Sequence, residues 1–443
     1  MVSSSNILPE KVHEVLGHTM LVDGMDLVLD LEKSKGVRLY DSKSNSYYLD
    51  FFSFFASAPI GFNHPKMNDE KFSQTLLKVA KCKPSNSDVY TTEMAEFVNT
   101  FEKIAMPDYM KYLFFVSGGA LAVENGLKVA FDWKVRKNFL KGYKEEKGKQ
   151  ALHFKQAFHG RTGYTMSLTN TDPNKVALFP KFDWPRVTNP KVIWPLEQNI
   201  DKIIESEQQA ISEIKSAIEK NKDDIAVIII EPIQAEGGEN IFRKEFLQEL
   251  RKISDENEIL LMFDEVQSGM GLTGKWWAHQ NFDVKPDIIS FGKKAQVCGI
   301  MVSDRIDDIE DHVFKKSSRI NSTWGGNLTD MVRSSQYLKI IEEENLVENA
   351  KNIGDILLSR VKAMQEKYPQ LISQARGVGL MCAFDMPTSE IRDKLVKDCF
   401  ENKLLLLSCG TNSIRFRTVL DIKEEELDEG LNIIENILSS YVK

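Results

Sequence analysis

The segment between residues 225 and 264 begins with IAVIIIEP (225–232) and ends with ILLMFD (259–264), and a helical pattern fills residues 244–257 between the two runs. Each run is apolar up to its final polar residues, so each predicted strand is buried on both faces. Strands of this kind pair in parallel and need helices on each side of the sheet. The segment therefore predicts an α/β fold with a mostly parallel sheet covered by helices.

The alternation of strands and helices continues on both sides of this segment. The run YLFFV (112–116) predicts a strand, followed by a helix from residue 120 to about residue 136. Isoleucines at helical spacing predict another helix over residues 204–218. After about residue 325 longer charged helices are predicted, at residues 330–344 and 424–439. This change of character predicts a second, smaller α+β domain.

The overall composition favours a small molecule as the partner. The 443 residues include 57 basic and 65 acidic side chains, a net charge of −8 at pH 7 with no long basic run, which disfavours nucleic acids and anionic membranes. The N-terminal MVSSSNILPEKVHEVLGHTML lacks a signal-peptide pattern, and no later segment approaches a membrane span, so we expect a cytoplasmic protein. The five cysteines form no C-x-x-C pair, and no H-E-x-x-H motif occurs, so we expect neither disulfides nor a metal site.

Polar residues or glycines end four of the apolar runs abruptly. They are Gly118-Gly119-Ala120 after LFFV, Glu231 after IAVIII, Asp264-Glu265 after LLMF, and Lys293-Lys294 after DIISFG. Because the carboxyl ends of the strands border the ligand site in such a sheet, these residues are the first site candidates. Taken singly, each has an ordinary explanation, since glycine turns are common and paired lysines usually face solvent.

One short motif suggests a nucleotide hydrolase instead. The stretch GMGLTGK (269–275) matches G-x-x-x-x-G-K, and the acidic FDE lies nearby. A phosphate-binding loop of that type needs Ser or Thr after its lysine and lies between a strand and a helix, ahead of the acidic strand. Here Trp276 follows the lysine, and the motif comes after the acidic strand. The hydrolase remains a minor alternative.

Together the four strand ends fit a pyridoxal phosphate site. This cofactor requires a lysine amine that bonds to its aldehyde, a carboxylate that keeps a proton on its ring nitrogen, and backbone N–H groups for its phosphate. Lys293 or Lys294, Asp264, and the turn at Gly119 and Ala120 supply these three parts. If the two lysines lie on an extended segment, their side chains point to opposite sides, so one faces the cofactor and the other packs or reaches solvent.

Four motifs in this order resemble the class III pyridoxal-phosphate aminotransferases: GFNHP (61–65), AFHGRT (157–162), FDEVQSG (263–269) and STWGGN (322–327). The resemblance runs from about residue 20 to the end of the chain. It implies the fold type I architecture, with a large domain (61–325) and a smaller α+β domain built from the N-terminal segment (1–60) and the C-terminal part (326–443). It also implies a homodimer whose active sites lie at the interface.

The resemblance also implies roles for individual residues. The cofactor-binding residues would be Gly119, Ala120, Phe158, His159, Asp264, Gln267, Lys293 and Thr323. Lys293, the first lysine of the pair, would carry the cofactor and act as the catalytic base, and Asp264 would pair with the ring nitrogen. Phe158 would stack on the ring with His159 beside it, Gln267 would contact the ring hydroxyl, and Thr323 would reach the phosphate in the partner subunit.

At the phosphate turn the sequence departs from the wider family. Residues 118–121 read GGAL where most members have S-G-S-E, so a side-chain hydroxyl contact to the phosphate is lost and backbone N–H groups remain.

Longer stretches resemble the branch of the family that acts on the terminal amine of lysine. These are FVSGGALAVENGLKVAFDWK, FHGRTGYTMSLTNTDPNKVALFPKFDWPR, EPIQAEGGENIFR and FGKKAQVCGIM. The implied reaction moves the ε-amine of L-lysine to 2-oxoglutarate, giving L-glutamate and 2-aminoadipate 6-semialdehyde, which cyclises to piperideine-6-carboxylate. Ornithine and 4-aminobutyrate remain alternative donors.

Three charged residues are implied for substrate binding. Arg161 would hold the α-carboxylate of lysine, because a guanidinium binds a carboxylate through two hydrogen bonds. Arg415 would bind the α-carboxylate of 2-oxoglutarate, although Arg417 lies on the same face if this segment is a strand, so the choice between them stays open. Glu236 would cover Arg415 with an ion pair while lysine reacts and swing away when the diacid arrives.

Overall fold

The computed structural model describes residues 7–442, so the first six residues of the predicted N-terminal segment and Lys443 lie outside the described residues. The strands are β1 (Leu29–Lys35), β2 (Arg38–Asp41), β3 (Ser46–Asp50), β4 (Met110–Val116), β5 (Gln150–Phe154), β6 (Arg186–Val187), β7 (Ile225–Ile230), β8 (Ile233–Gln234), β9 (Asn240–Ile241), β10 (Leu260–Asp264), β11 (Ile288–Phe291), β12 (Cys298–Ser303), β13 (Ser373–Val378), β14 (Met381–Asp385), β15 (Leu404–Leu405), β16 (Leu407–Cys409) and β17 (Ser413–Arg415). The helices are α1 (Val12–Gly17), the single turn α2 (Ser53–Ala56), α3 (Glu70–Ala80), α4 (Thr92–Ile104), α5 (Gly119–Leu140), α6 (Gly163–Leu168), α7 (Leu196–Lys220), α8 (Lys244–Glu256), α9 (Leu328–Glu343), α10 (Leu346–Lys367), α11 (Ser389–Glu401) and α12 (Glu424–Tyr441).

A seven-stranded sheet forms the centre of the molecule, in the order β4-β12-β11-β10-β7-β5-β6. Strand β12 runs antiparallel to both of its neighbours, and the remaining pairs are parallel. The mostly parallel α/β sheet predicted from the sequence is therefore confirmed.

The two faces of this sheet bury alternate residues of the same strands. Ile228 in β7 and Leu261 in β10 belong to one hydrophobic cluster with Phe246 of α8. Their neighbours Val227 and Leu260 belong to the cluster that contains the apolar side of α5. Successive side chains of a strand point to opposite faces, so a strand between two helical layers must be apolar at every position. This arrangement explains the uninterrupted runs in the sequence.

Two smaller four-stranded sheets involve the ends of the chain. One has the order β1-β2-β3-β15, so N-terminal strands pair with a strand near residue 404, and the other has the order β13-β14-β17-β16. The parallel pairing of Leu404 with Leu49 joins positions that are far apart in the sequence. Among residues 7–442, no helix has both the length and the apolar character needed to cross a membrane.

The strand ends singled out in the sequence lie at one edge of the large sheet. Strands β4, β7, β10 and β11 run in the same direction, so Gly118, Glu231, Asp264 and Lys293 follow their carboxyl ends on the same side. The GMGLTGK stretch forms turns and bends after β10 and does not connect a strand to a helix.

Candidate active site

The two lysines of the FGKK stretch lie in a single 3₁₀ turn, Lys293–Ala295, directly after β11. The premise of an extended segment is therefore wrong, because the chain turns sharply as soon as the strand ends. The turn nevertheless separates the two side chains. Lys293 Nζ donates to the carbonyl of Phe55 at 3.0 Å. Lys294 Nζ is buried and donates to the carbonyls of Ala58 at 2.7 Å and Thr418 at 3.3 Å.

Both amines are held in surroundings that favour their neutral form. Burial, followed by repulsion from Arg415 and Arg417, lowers the pKa of Lys293 from 10.5 to about 8. Burial, followed by repulsion from Arg417, lowers the pKa of Lys294 to about 7. Glu236 and Asp264 act on Lys293 in the opposite direction, so these groups lie close enough to interact with its amine. A neutral amine of this kind can act as a nucleophile or a base near neutral pH.

Asp264 ends β10 as a buried carboxylate that accepts several hydrogen bonds. Its Oδ1 accepts from the Val266 N–H at 3.1 Å and from the Ser290 hydroxyl at 3.0 Å. Its Oδ2 lies 2.7 Å from His159 Nδ1. Because an ionised carboxylate can only accept, Nδ1 of His159 carries the proton, and Nε2 is left without a partner among the described residues. The contacts from Ser290 and His159 tie Asp264 to two other segments, and the contact from Val266 lies within its own loop.

Glu231, at the end of β7, connects two loops of the site. Its Oε1 accepts from the Phe158 N–H at 2.9 Å, and its Oε2 accepts from the Ala235 N–H at 3.0 Å. Burial raises its pKa to about 7. Its position at a strand end identified Glu231 as a site candidate in the sequence. Its hydrogen-bond partners could not be predicted, because they lie in two loops whose conformation the sequence does not reveal.

The turn before α5 offers backbone donors without any competing side chain. Gly118 precedes the helix with φ of 122°, a conformation that favours glycine, and provides no side-chain cap. The N–H groups of the first helical turn, at Gly119 and Ala120, are therefore suited to binding an anion, aided by the helix dipole. Gly160 lies close to this turn, because a Cβ built there would clash with the Cβ of Ala120.

Two arginines of the IRFR stretch have different hydrogen-bond partners, although Arg415 Nη1 also lies 4.0 Å from Oε1 of Glu239. Arg415 Nη2 donates to Glu236 Oε2 at 2.8 Å, while its Nε and Nη1 have no hydrogen-bond partner among the described residues. Arg417 forms a closely spaced, fully buried pair with Glu239. Only Arg415 thus combines unused donors with a half-buried carboxylate partner, which favours it over Arg417 as an anion-binding group.

The remaining predicted residues lie at the surface or are half-buried. Arg161 and Thr323 are exposed, and Phe158 and Gln267 are half-buried. The side chains of Arg161, Gln267 and Thr323 have no hydrogen bond to another predicted site residue within residues 7–442. The backbone carbonyl of Thr323 accepts from the Ser85 hydroxyl at 2.6 Å.

Comparisons with known proteins identify the family of this chain. The sequence model for the family described as aminotransferase class-III matches residues 20–438. The chain belongs to the class III aminotransferases. L-Lysine-epsilon aminotransferase from Mycobacterium tuberculosis is 47% identical over 431 residues, covering 97% of this chain and 96% of that protein. The protein of the same name from Streptomyces clavuligerus is 44% identical over 440 residues, covering 99% and 96%. The solved structure of lysine aminotransferase from M. tuberculosis matches with a TM-score of 0.96 and 47% identity, covering 98% of this chain and 99% of that one.

As a class III aminotransferase, the protein is an enzyme that depends on pyridoxal 5′-phosphate, and its residues fit this cofactor. The first turn of α5 has no side-chain cap, so its N–H groups are available to a phosphate. The buried Nε2 of His159 lacks a partner among the described residues, and the carboxylate that its Nδ1 contacts is of the type that binds a ring nitrogen. Lys293 adds an amine whose pKa is lowered to about 8.

This class III aminotransferase should take up its cofactor in a pH-dependent way. Only the neutral amine of Lys293 can attack an aldehyde, and with a pKa of about 8 it is neutral in about one molecule in ten at pH 7. We expect the rate at which cofactor-free protein turns yellow with pyridoxal phosphate to rise with pH and to level off above pH 8. Nα-acetyl-lysine in the same buffers is the control, since its amine has an ordinary pKa. A protein rate that kept rising to pH 10, as the control does, would contradict the lowered pKa.

Two charged residues of this class III aminotransferase were missed in the sequence. Lys175 Nζ lies 2.6 Å from Glu236 Oε1, and Glu239 pairs with Arg417. Both lie in stretches that resemble the lysine branch of the family, but neither directly ends a predicted strand and the resemblance gave neither a role, and both reach the site across loops. Only three-dimensional structure reveals such contacts.

Proposed function

We propose that this aminotransferase moves the ε-amino group of L-lysine to 2-oxoglutarate. The products would be L-glutamate and 2-aminoadipate 6-semialdehyde, which cyclises to piperideine-6-carboxylate. Support comes from the lysine-epsilon aminotransferases that are 44–47% identical to this chain over nearly its whole length. Cyclisation removes the aldehyde and draws the reaction forward.

The observation that carries the proposal is the ion pair between Glu236 and Arg415. A donor such as lysine, which reacts at its far amine, has no carboxylate beside the reacting carbon. An arginine without an ion-pair partner beside that carbon would attract the α-carboxylate and bind the donor in the reverse orientation. Glu236 covers Arg415 and removes this attraction. 2-Oxoglutarate reacts beside its α-carboxylate, so it needs a guanidinium at the same place. One pocket that accepts both substrates in turn therefore needs an arginine whose partner can leave it.

When bound, pyridoxal phosphate supplies an aldehyde that captures the substrate amine and a ring that withdraws electrons from the neighbouring C–H bond. Lys293 would hold the cofactor between turnovers. After its amine is released, Nζ would take a proton from carbon 6 of lysine, because its lowered pKa of about 8 keeps much of the amine neutral in mildly alkaline solution. In the second half-reaction the same amine would take part in moving the proton back.

Other residues would hold and orient the reacting groups. Asp264, fixed by His159, would keep a proton at the ring nitrogen. Phe158 would pack on one face of the ring, and Gln267 would contact the ring hydroxyl. The turn at Gly119 and Ala120 would bind the phosphate with backbone N–H groups alone. For the lysine end, Arg161 would bind the α-carboxylate, which its exposed position allows.

Completion of the site by a second copy of the chain is also part of the proposal. Thr323 is exposed and contacts no other predicted site residue within residues 7–442, as expected of a group that serves the partner's phosphate. The mass of the particle in solution tests this point, since a monomer would contradict it.

The division into residues 1–60, 61–325 and 326–443 is supported by the pairing of β3 with β15. If limited proteolysis first cut the chain well inside residues 61–325, that result would argue against this division into domains. A cytoplasmic location stays a prediction.

The absorption spectrum of the purified enzyme tests the proposed reaction directly. We expect the yellow band of the enzyme to disappear when L-lysine is added without a keto acid, and to return with 2-oxoglutarate. Nα-acetyl-lysine, whose ε-amine is free, should be able to bleach the band, whereas Nε-acetyl-lysine should not. This pair of compounds separates reaction at the ε-amine from reaction at the α-amine.

Other outcomes would redirect the proposal. Bleaching by ornithine or 4-aminobutyrate, but not by lysine, would keep the chemistry and change the donor, because one methylene contributes only about 1–3 kcal/mol of discrimination. Bleaching by Nε-acetyl-lysine alone would place the reaction at the α-amine and contradict the role of Glu236.

A further inference from the structure

Glu236 has a second cationic partner outside the residues that the sequence identified. Its two carboxylate oxygens are divided between two cations: Oε2 lies 2.8 Å from Arg415 Nη2, and Oε1 lies 2.6 Å from Lys175 Nζ. Lys175 also lies over the ring of Phe158, with Nζ 5.5 Å from the ring centroid. The lysine thus contacts both the carboxylate that covers Arg415 and the aromatic residue proposed to pack on the cofactor.

The backbone that carries Lys175 forms a capped turn. Lys175 ends the 3₁₀ turn Pro173–Lys175, and the side chain of Asp172 caps this turn by accepting from the Asn174 N–H at 2.9 Å. The side chains of Lys175 and Glu236 are 29% and 22% exposed, so their contact is partly shielded from water. An ion pair of this kind contributes more than one that is fully exposed.

We propose that Lys175 is a positioning residue that receives Glu236 when a dicarboxylate substrate displaces it from Arg415. This inference rests on the proposed exchange of lysine, which reacts at its far amine, for a diacid acceptor. Without a second cation, Glu236 would lose its ion pair on leaving Arg415, and the diacid would have to compensate for that loss. With Lys175 in contact, one carboxylate oxygen keeps its partner while the other is released.

The charges around Glu236 also indicate that Lys175 favours the binding of a dicarboxylate. Lys175 and Arg415 provide two positive charges to the single carboxylate of Glu236, so these three side chains carry one excess positive charge. Burial raises the pKa of Glu236, but Arg415 and Lys175 outweigh it and hold the pKa below its usual value, so the carboxylate is ionised at neutral pH. An incoming dianion therefore meets a group with one excess positive charge. Loss of Lys175 removes that excess.

The test compares Lys175→Met with Lys181→Met in the holoenzyme. Lys181 lies six residues further along the same segment and, within residues 7–442, donates only to the carbonyls of Val176 and Phe179, so its replacement reports on disturbance of the segment. Glutarate, a dicarboxylate without the reactive keto group, serves as the probe, and calorimetric titration gives its dissociation constant. We expect Lys175→Met to weaken glutarate binding by about five- to tenfold and to raise the Michaelis constant for the keto-acid acceptor by a similar factor. The turnover number and the lysine half-reaction should stay within about twofold of wild type.

The conservative variant and the control complete the design. Lys175→Arg keeps a cation beside Glu236 and should bind glutarate within about twofold of wild type, and so should Lys181→Met. Unchanged or tighter glutarate binding by Lys175→Met would overturn the inference, as would an equal loss in the lysine half-reaction or a wild type that binds no glutarate. A wild type that binds glutarate but ignores lysine would contradict the proposed donor and leave the role of Lys175 to be decided by the glutarate comparison.

Discussion

Replacement of Lys293 by alanine is expected to abolish transamination, with the rate of the lysine half-reaction falling by about 10⁴-fold. The amine of Lys293, whose pKa is lowered to about 8, lies at the carboxyl edge of the sheet, close enough to interact with Asp264 and Arg415. No other base is assigned to the proton transfer, so its loss removes both the resting attachment of the cofactor and the base. Stopped-flow absorbance with L-lysine measures the half-reaction in a single turnover.

The control for this variant is Lys202→Ala, an exposed lysine on α7 that should leave the rate unchanged. Added ethylamine distinguishes a missing base from a disturbed site. If Lys293 acts as a base, the amine should restore part of the activity in Lys293→Ala, and more so at higher pH, where more of it is neutral. Retention of more than about a hundredth of the wild-type rate by the variant alone would assign the proton transfer to another residue.

The central fold could be predicted because its decisive signals are local. The runs that became β7 and β10 are apolar at every position, and the helical pattern between them became α8 within one residue of the predicted end. The direction of β12 could not be predicted, because an apolar run does not reveal whether its strand runs parallel or antiparallel. The pairing of β3 with β15 joins residues about 350 positions apart, and no local pattern encodes such a contact.

Those residues of the site that lie at the ends of apolar strands could be predicted from the sequence. Asp264, Glu231 and the pair Lys293-Lys294 were found from the abrupt change at the end of an apolar run, and the family resemblance selected Lys293 and added Glu236 and Arg415. The structure brings Asp264, Glu236 and Arg415 close enough to influence the pKa of Lys293. The role of Asp264 stays a prediction that the Asp264→Asn variant tests.

The left-handed turn α2 shows why the surroundings of Lys293 could not be anticipated. Ser53, Phe54, Phe55 and Ala56 all have positive φ, a conformation that costs non-glycine residues roughly 1–2 kcal/mol each. No glycine or asparagine in this stretch signals such a turn. The turn places the carbonyl of Phe55 where it accepts from Lys293 Nζ at 3.0 Å.

The second large effect is expected for Asp264→Asn, which should slow the lysine half-reaction by about 10²- to 10³-fold. The amide has the same shape as the carboxylate and can still accept from His159 Nδ1, although its NH2 group then faces the Val266 N–H and that one contact is lost. What the variant loses is the negative charge that would keep a proton at the ring nitrogen of the cofactor. Ser290→Ala is the matched control, because it removes one donor to the same carboxylate and keeps the charge. Its half-reaction should slow by less than about tenfold.

A modified cofactor separates the charge of Asp264 from its structural contacts. Pyridoxal phosphate methylated at the ring nitrogen carries a permanent positive charge there, so it no longer depends on a carboxylate to keep that nitrogen protonated. If Asp264 acts through this proton, the methylated cofactor should restore much of the half-reaction rate in Asp264→Asn while giving no advantage to the wild type. If instead Asp264 serves mainly to orient His159, the variant should be equally slow with either cofactor. The proposed role would then have to be abandoned, because the charge at the ring nitrogen would not be what the carboxylate provides.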